Sequence, residues 1–458
     1  MTVAPPAPAR PAVVRERLWT GPLGTVVAGV FATAFLFAFE AYAVAVALPL
    51  VAADLDGVAL YAVSFAAPLA ASVATMTAAG PWADRSGPGG PLLVGVGGFV
   101  VGLLVAGLAP TMEAFLAGRL VQGLGSGLVT VALYVLVGQV FDEHVRPRVF
   151  VVMTSAWVLP ALVGPLVAGW VAETFGWRWA LLGAVVPSLV AVSLLVGVAR
   201  RPGAHPGARL RPGRVLLASA AAVGVLGVSS AARQDSALWP VVLVASLAVV
   251  AVVVPPLLPR GTWTGRRGLP AVIATRSVVS LAFFGVEAYL PLVLVEQRSL
   301  TPTQAGLFLT GGAVLWFAGS WLAANLPVLA DTVRRVRLGT GLVALGAVSG
   351  VLLVAGAPLA AVAALWPLAG LGMGVASSTL SVLLLERAAP GEHGAASAGM
   401  QTSDAVVQAV GLALGGVLVA VLLPVAPVGA YAAVLAVAPV AGLAALAVSG
   451  RIGRAPAA

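Results

Sequence analysis

The chain has 458 residues, of which 60% are hydrophobic and 9% are charged, and its mean hydropathy is +1.06. This composition excludes a water-soluble fold of such length and indicates an all-α polytopic membrane protein. The absence of cysteine excludes disulfides, thiolate metal sites and cysteine nucleophiles. All 25 basic residues are arginine, which is typical of a GC-rich bacterial genome.

Apolar segments recur along the chain, and about 20 apolar residues suffice to cross a bilayer. The sequence predicts fourteen such helices, at 24–51, 60–79, 91–109, 112–140, 149–173, 177–199, 215–232, 239–258, 270–294, 303–326, 338–356, 358–385, 394–422 and 427–449. Basic breaks at 200–214 and near Arg260 divide them into six, two and six. Whether 215–258 forms two true spans stays open at this point.

The predicted division is a disordered tail at 1–20, an N-terminal six-helix bundle at 21–200, a basic linker with an inserted helix pair at 201–268, a C-terminal six-helix bundle at 269–450 and a second tail at 451–458. Twenty arginines fall on one side of this arrangement and three fall on the other. Because cytoplasmic loops retain positive charge, both termini are predicted to be cytoplasmic, in a bacterial inner membrane. This placement explains the net charge of +9 without a nucleic-acid partner.

Glu40 lies inside the otherwise uncharged segment 24–51. An acid inside the membrane is costly, and it faces a cavity, pairs with a base or takes up protons. We interpret Glu40 as the proton-binding carboxylate of a secondary transporter, and a structural ion pair is the alternative. The motif Glu40-Ala41-Tyr42 recurs as Glu287-Ala288-Tyr289 at the start of the C-terminal bundle. Two related bundles would bring Glu40 and Glu287 to facing positions near a central cavity.

Other charged residues also lie inside apolar segments. Arg119 cannot lose its proton, so it needs an acid, a carbonyl or a hydrated cavity, and Gln122 shares its helix face. Arg276 lies near a helix end and is expected to snorkel to the cytoplasmic interface. Asp404 belongs to a polar stripe with Gln401 that lines a pathway or bonds between helices. The proton-coupling candidates are Glu40, Glu287, Asp404 and Arg119, and the cavity candidates are Phe39, Tyr42, Gln122, Phe284, Tyr289 and Gln401.

Four motifs resemble those of the major facilitator superfamily. Gly80, Asp84, Arg85 and Gly87 match its G-x-x-x-D-R-x-G loop, and Arg119, Gln122 and Gly123 match its fourth-helix R-x-x-Q-G pattern. The segment with Gly164, Pro165 and Gly169 resembles the fifth-helix motif of its antiporters, and residues 40–49 look like the first-helix motif of its drug:proton antiporters. The six, two, six layout is similar to the fourteen-spanner branch. The resemblance implies that Asp84 and Arg85 latch helix ends and that Gly164-Pro165 bends helix 5.

The expected function is proton-coupled efflux of hydrophobic or cationic small molecules by alternating access, with the proton gradient in place of a cofactor. The alternative is a proton-coupled importer, or an exporter of one endogenous metabolite or lipid. A membrane enzyme would need a clustered nucleophile, base or metal set, and a receptor would need a soluble sensing domain; the sequence offers neither. The expected partners are a small-molecule substrate, protons and the lipid bilayer, with no nucleic acid, and the chain is expected to be a monomer.

Overall fold

The computed structural model describes residues 19, 21–57, 61–199, 212–231, 237–300, 302–325, 331–389 and 392–453. Within these ranges the chain forms sixteen α-helices and no strand. The predicted tails lie mostly outside the described residues. The helices are α1 Gly21–Asp54, α2 Tyr61–Ser86, α3 Gly89–Gly107, α4 Met112–Val140, α5 Arg146–Phe175, α6 Trp177–Leu182, α7 Val185–Ser193, α8 Val196–Ala199, α9 Pro212–Ala231, α10 Trp239–Val253, α11 Leu269–Arg298, α12 Pro302–Asn325, α13 Thr332–Val354, α14 Leu359–Arg387, α15 His393–Leu422 and α16 Pro427–Ser449.

The helical fold class predicted from composition is confirmed. Nine helices among the described residues are long and apolar enough to cross a membrane. An α-helix satisfies its own backbone hydrogen bonds, which is what hydrocarbon requires of any spanning segment. The chain is therefore a multi-pass membrane protein, while the count of fourteen spans stays a prediction.

The segment predicted as one helix over 177–199 differs from the structure, which divides it into α6, α7 and α8. Pro187 lies in the first turn of α7. Proline has no N–H to donate to the carbonyl four residues earlier, which here belongs to Gly183. The interruption between α6 and α7 falls at Gly183 and Ala184, where that hydrogen bond is missing.

Glycines let pairs of helices pack with their backbones in contact. A Cβ added at Gly95 of α3 would lie 2.8 Å from the carbonyl oxygen of Gly125 in α4. The same distance separates a Cβ added at Gly339 of α13 from the carbonyl oxygen of Gly372 in α14. Lipid tails are as apolar as the helices, so the hydrophobic effect does not drive helices together in a bilayer. Close van der Waals packing at small residues stabilises their contact instead.

Several helix pairs connect the first half of the chain to the second, and two of them have the most extensive contact. Helix α2 packs along α15, and α5 packs along α12, where the hydroxyl of Ser320 lies 3.4 Å from that of Thr154. Helix α9 packs on α2 and α15, and α10 packs on α9. Only 17% of the most apolar stretch of α10 is buried, so this helix forms the outer surface. We call the side where α2 ends and α15 begins the arginine-rich side; it carries Arg85, Arg266, Arg387 and Arg451.

Candidate functional site

A buried polar cluster joins α1 to α4. The guanidinium Nη1 of Arg119 donates to Oε1 of Glu40 and also to Oε1 of Gln122, at 2.9 Å. The amide Nε2 of Gln122 donates to the same Glu40 oxygen at 3.1 Å, and Nε of Arg119 lies 3.4 Å from the carbonyl oxygen of Ser64 in α2. Glu40, Arg119 and Gln122 are only 6%, 5% and 1% exposed. The structure thus brings together three residues predicted from their positions inside apolar segments.

Helix geometry explains why this cluster forms. Arg119 and Gln122 are three residues apart on α4, so they share a face that turns toward α1. In a low dielectric, an acid and a guanidinium attract far more strongly than in water. Glu40 and Arg119 together carry no net charge. The side-chain amide of Gln122 is hydrogen-bonded to both of them. This cluster is the candidate functional site.

Glu287 occupies a different environment in α11. Its electrostatic neighbour across the molecule is Tyr42 of α1, and none of the described residues forms a hydrogen bond or ion pair with its carboxylate. The repeated motif predicts that Glu40 and Glu287 face each other, and this stays a prediction; the structure records Glu40 beside Arg119 and Tyr42 near Glu287. Residues 40 and 42 point about 200° apart around a helix, so Glu40 turns into its own half toward Arg119 while Tyr42 turns toward Glu287.

A second buried ion pair lies in the other half of the chain. Nε of Arg276 in α11 donates to Oδ2 of Asp404 in α15 at 2.9 Å, and its Nη1 donates to the carbonyl oxygen of Ser377 in α14 at 3.1 Å. The expectation that Arg276 snorkels to the interface was therefore wrong, since its side chain is only 13% exposed. Tyr134 of α4 also interacts with this guanidinium, which links the pair to the first half.

Polar residues beside Arg276 could have revealed this pair. Ser280 lies one turn after Arg276, and its hydroxyl is 3.4 Å from Oδ2 of Asp404. Ser277 donates to the hydroxyl of Ser403 at 2.8 Å. Helix α11 therefore carries a serine-rich stripe around its arginine that complements the stripe on α15. Two complementary stripes indicate helix contact more strongly than either one alone.

On the arginine-rich side, a carboxylate joins the two halves. Asp84, at the end of α2, accepts hydrogen bonds from the backbone N–H of Gly394 at 2.8 Å and of Ala395 at 3.0 Å. These N–H groups belong to the first turn of α15, where helical hydrogen bonds are unmade and the helix dipole is positive. A Cβ at Gly80 would meet the carbonyl oxygen of Gly394. Asp84 therefore acts as the N-terminal cap of a helix from the opposite half.

Comparison with known proteins identifies the family to which this chain belongs. The sequence model of the Major Facilitator Superfamily matches residues 30–326. The chain belongs to this superfamily. A probable multidrug-efflux transporter of Mycobacterium tuberculosis (strain ATCC 25618 / H37Rv) is 31% identical over 404 residues, which cover 81% of this chain and 82% of the relative. The multidrug efflux pump SdrM of Staphylococcus aureus (strain N315) is 24% identical over 365 residues, which cover 78% of this chain and 80% of the relative.

Solved structures share the major facilitator fold. The human organic anion transporter MFSD10 superposes with a TM-score of 0.70 at 16% identity, covering 94% of this chain and 100% of that one. A bacterial homologue of the iron transporter ferroportin, in its outward-facing state, gives a TM-score of 0.68 at 14% identity, covering 94% of this chain and 98% of that one. At such identities the likeness concerns the fold alone. Family and fold together make the chain a membrane transporter of the major facilitator type.

The predicted cavity residues lie in several environments of this major facilitator fold. Phe39 stacks on Phe35 with ring centroids 6.2 Å apart, and Phe284 packs edge-on against Phe283 at 5.3 Å. Tyr289 donates its hydroxyl to the carbonyl oxygen of Leu412 at 3.1 Å, so it is tied to α15 within its own half. The side-chain carbonyl of Gln401 is buried without a hydrogen-bond partner among the described residues.

The remaining residues of the family motifs are three glycines, an arginine and a proline. Gly87 has a φ of 86° in the turn between α2 and α3, a conformation that favours glycine. A Cβ at Gly164 of α5 would lie 3.3 Å from the Cβ of Tyr42. Arg85 is exposed, and none of the described residues pairs with its guanidinium. Gly169 lies in α5, and the side chain of Pro165 lies outside the described residues, so the predicted bend stays a prediction. Groups of three or more metal-ligating side chains are absent from the described ranges.

Proposed function

We propose that this chain is a proton-coupled antiporter that exports hydrophobic or cationic small molecules from a bacterial cell by alternating access. The observation that carries the proposal is the buried cluster of Glu40, Arg119 and Gln122. Two relatives bear names that denote multidrug efflux, which supports export and a broad substrate class. In this proposal the two bundles at 21–200 and 269–450 rock against each other, and the pair at 201–268 lies outside them.

The cluster can couple a proton to a substrate through competition for one carboxylate. Protonation of Glu40 removes its charge and weakens its bond to Arg119, because the attraction between two opposite charges in a low dielectric is lost. Gln122 and the carbonyl oxygen of Ser64 remain as partners for the freed guanidinium. Loss of the proton restores an anion that attracts a cationic substrate. Proton and substrate therefore exclude each other at Glu40.

Tyr42 and Glu287 extend the proposed pathway toward the second half. Tyr42 packs near Gly164 of α5 and lies within electrostatic range of Glu287. Glu287 has no fixed ionic partner among the described residues, so its carboxylate is free to meet a cation. We assign Glu287 to substrate binding or to a second proton, and Asp404 to proton coupling through its pair with Arg276.

In this proposal, the two hydrogen bonds from the start of α15 to Asp84 hold the arginine-rich side closed. With that side in the cytoplasm, as its charge predicts, the site would open outward, where protons are available in an energised bacterium. The reverse conformation requires both of these hydrogen bonds to break.

The proposal is tested in proteoliposomes that contain a trapped pH-sensitive dye. Hydrophobic cations are added, and wild type is compared with Glu40→Gln. We expect substrate-dependent proton movement in the wild type and movement at the level of empty liposomes in the variant. The matched control is Asp54→Asn, which neutralises the acid of an exposed pair with Arg178 and should leave the wild-type rate.

The other outcomes are informative as well. Movement that survives Glu40→Gln but stops in Glu287→Gln or Asp404→Asn assigns coupling to that other acid. Undiminished movement in Glu40→Gln/Glu287→Gln would sink the proposed mechanism. No proton movement with any cation tested would favour uncoupled transport or a single endogenous metabolite as substrate.

A further inference from the structure

The loop between α10 and α11 forms a pocket lined by four arginines. The cavity has a volume of about 630 Å³, and its lining consists of Arg260, Thr264, Gly265, Arg266, Arg267, Pro270 and Arg451. Its charged lining residues are all cationic. None of the described residues supplies a hydrogen bond or ion pair to the side chains of Arg260, Arg266 or Arg267. Arg451 donates to the carbonyl oxygen of Thr264 at 3.2 Å.

Backbone hydrogen bonds and tight turns hold the shape of the loop that forms this pocket. The backbone N–H of Gly268 donates to the carbonyl oxygen of Arg451 at 3.1 Å. The backbone N–H of Arg266 donates to the carbonyl oxygen of Gly261 at 3.0 Å. Gly261, Gly265 and Gly268 all have positive φ, so the chain reverses tightly around the arginines. A Cβ at Gly265 would lie 3.0 Å from the side chain of Val448 in α16. The loop is therefore joined to the end of α16 as well as to α11.

The position of the pocket in the chain indicates a place near the membrane surface. The pocket is flanked by the ends of two candidate membrane spans, Leu269–Leu294 and Val428–Ser449. Trp263 in the same loop is 58% exposed, and exposed tryptophan is enriched at membrane interfaces. The two helices that end at this loop, α10 and α16, carry exposed apolar side chains: Val252, Val440 and Leu443 are 71%, 64% and 59% exposed.

We propose that this pocket binds the phosphate headgroup of an anionic phospholipid, whose acyl chains lie along α10 and α16. Guanidinium groups are opposite in charge to the single negative charge of a phosphodiester, and they form the strong charge-assisted hydrogen bonds that phosphate oxygens accept. Topology alone explains arginines on this side, but it does not explain four of them around one cavity beside helices with exposed apolar side chains. Basic pockets beside membrane helices recognise lipid headgroups by the same chemistry.

The test measures binding of a fluorescent phosphatidylglycerol to the purified full chain in uncharged detergent at physiological salt. We expect Arg266→Gln/Arg267→Gln to weaken binding by about 25-fold, from about five-fold for each arginine near a membrane surface. The control, Arg334→Gln/Arg337→Gln, removes the same charge from exposed positions in α13 and should stay within about two-fold of the wild type.

Each alternative gives a distinct result. An equal loss in both double variants would show general attraction by surface charge, and it would overturn the proposal. Displacement of the probe by millimolar inorganic phosphate alone would indicate a site for free phosphate rather than for a lipid. Equal binding of a phosphatidylcholine probe would remove the requirement for net negative charge, and it would also overturn the proposal. Binding can be measured whether or not the chain transports cations, so failure here leaves the proposed antiport untouched.

Discussion

At the scale of residues, two pairs of oppositely charged side chains lie buried between the helices. Arg119 binds Glu40 within the first half of the chain, and Arg276 binds Asp404 within the second. Each pair is neutral as a unit, but each single partner would be a charge buried in a low dielectric. Removing one partner of a buried pair is therefore more damaging than removing both.

Asp404→Asn is expected to lower the free energy of unfolding by about 3–5 kcal/mol, because it leaves the guanidinium of Arg276 without its counter-ion. The double variant Arg276→Gln/Asp404→Asn should recover part of that loss. Thermal unfolding of the purified protein measures both effects. Arg178→Gln, in an exposed pair, is the control and should change stability by about 1 kcal/mol or less. A double variant whose loss equals the sum of its single variants would contradict energetic coupling between the two residues.

Some of these pairings could be predicted from the sequence and others could not, and the depth of each residue in its helix explains the difference. Arg119 and Glu40 were identifiable because neither can reach water from the middle of its helix. Arg276 was misjudged because it lies only seven residues into α11, or about 10 Å at 1.5 Å per residue, a depth from which a long side chain can reach the interface. The partner of Arg276 lies on α15. The hydropathy of two helices that are distant in sequence does not show whether they pack together.

At the scale of elements, the first turn of α15 is the contact that controls the arginine-rich side. Hydropathy predicted where this helix begins to within one residue. The partner of Asp84 could not be predicted from side-chain types, because it consists of the backbone N–H groups of Gly394 and Ala395. The family resemblance identified the aspartate, and only the fold identified what it binds.

Asp84→Asn should open this contact, because an amide carries no charge to interact with the positive helix end and presents only one acceptor oxygen. The chain has no cysteine, so Ala398→Cys, in α15 beside Gly80, can report opening through its rate of alkylation. We expect faster labelling of the reporter when Asp84→Asn is added.

Asp331 provides a matched control for that experiment. Its carboxylate accepts hydrogen bonds from the N–H groups of Val333 and Arg334, so it caps α13 within its own half by the same chemistry. Asp331→Asn should leave labelling of the Ala398→Cys reporter unchanged. Equal acceleration by both substitutions would mean that general helix destabilisation, rather than release of α2 from α15, exposes the reporter.

At the scale of the whole molecule, arginine placement and the predicted number of spans together predict the orientation in the membrane. The contact between Asp84 and α15 brings the end of α2 and the start of α15 to one side, as the predicted alternation of spans requires. The fold class followed from hydropathy because every spanning segment must be helical. The number of spans did not follow, because the apolar stretches Trp177–Ser193 and Pro212–Val228 are both shorter than the nine candidate spans among the described residues.

A fusion experiment checks the orientation. Green fluorescent protein attached after Ala458 should fluoresce, because the C-terminus is expected in the cytoplasm, where this reporter folds. Alkaline phosphatase attached after Val425, between α15 and α16, should be active because that loop is expected outside. Exchanging the two reporters is the control, and activity of alkaline phosphatase at Ala458 would reverse the proposed topology.

The pairing of Glu40 with Arg119 also has an electrical consequence. While Glu40 is ionised, the pair contributes no net charge as it moves through the membrane field; once protonated, it contributes one positive charge, worth up to about 2.3 kcal/mol per 100 mV. With one proton exchanged per cycle, export of a neutral molecule therefore carries net current and is driven by voltage as well as by the pH difference. Export of a monovalent cation moves one charge each way and is electrically silent. In the proposed antiport, the charge of the substrate would thus decide whether the membrane potential can drive its export.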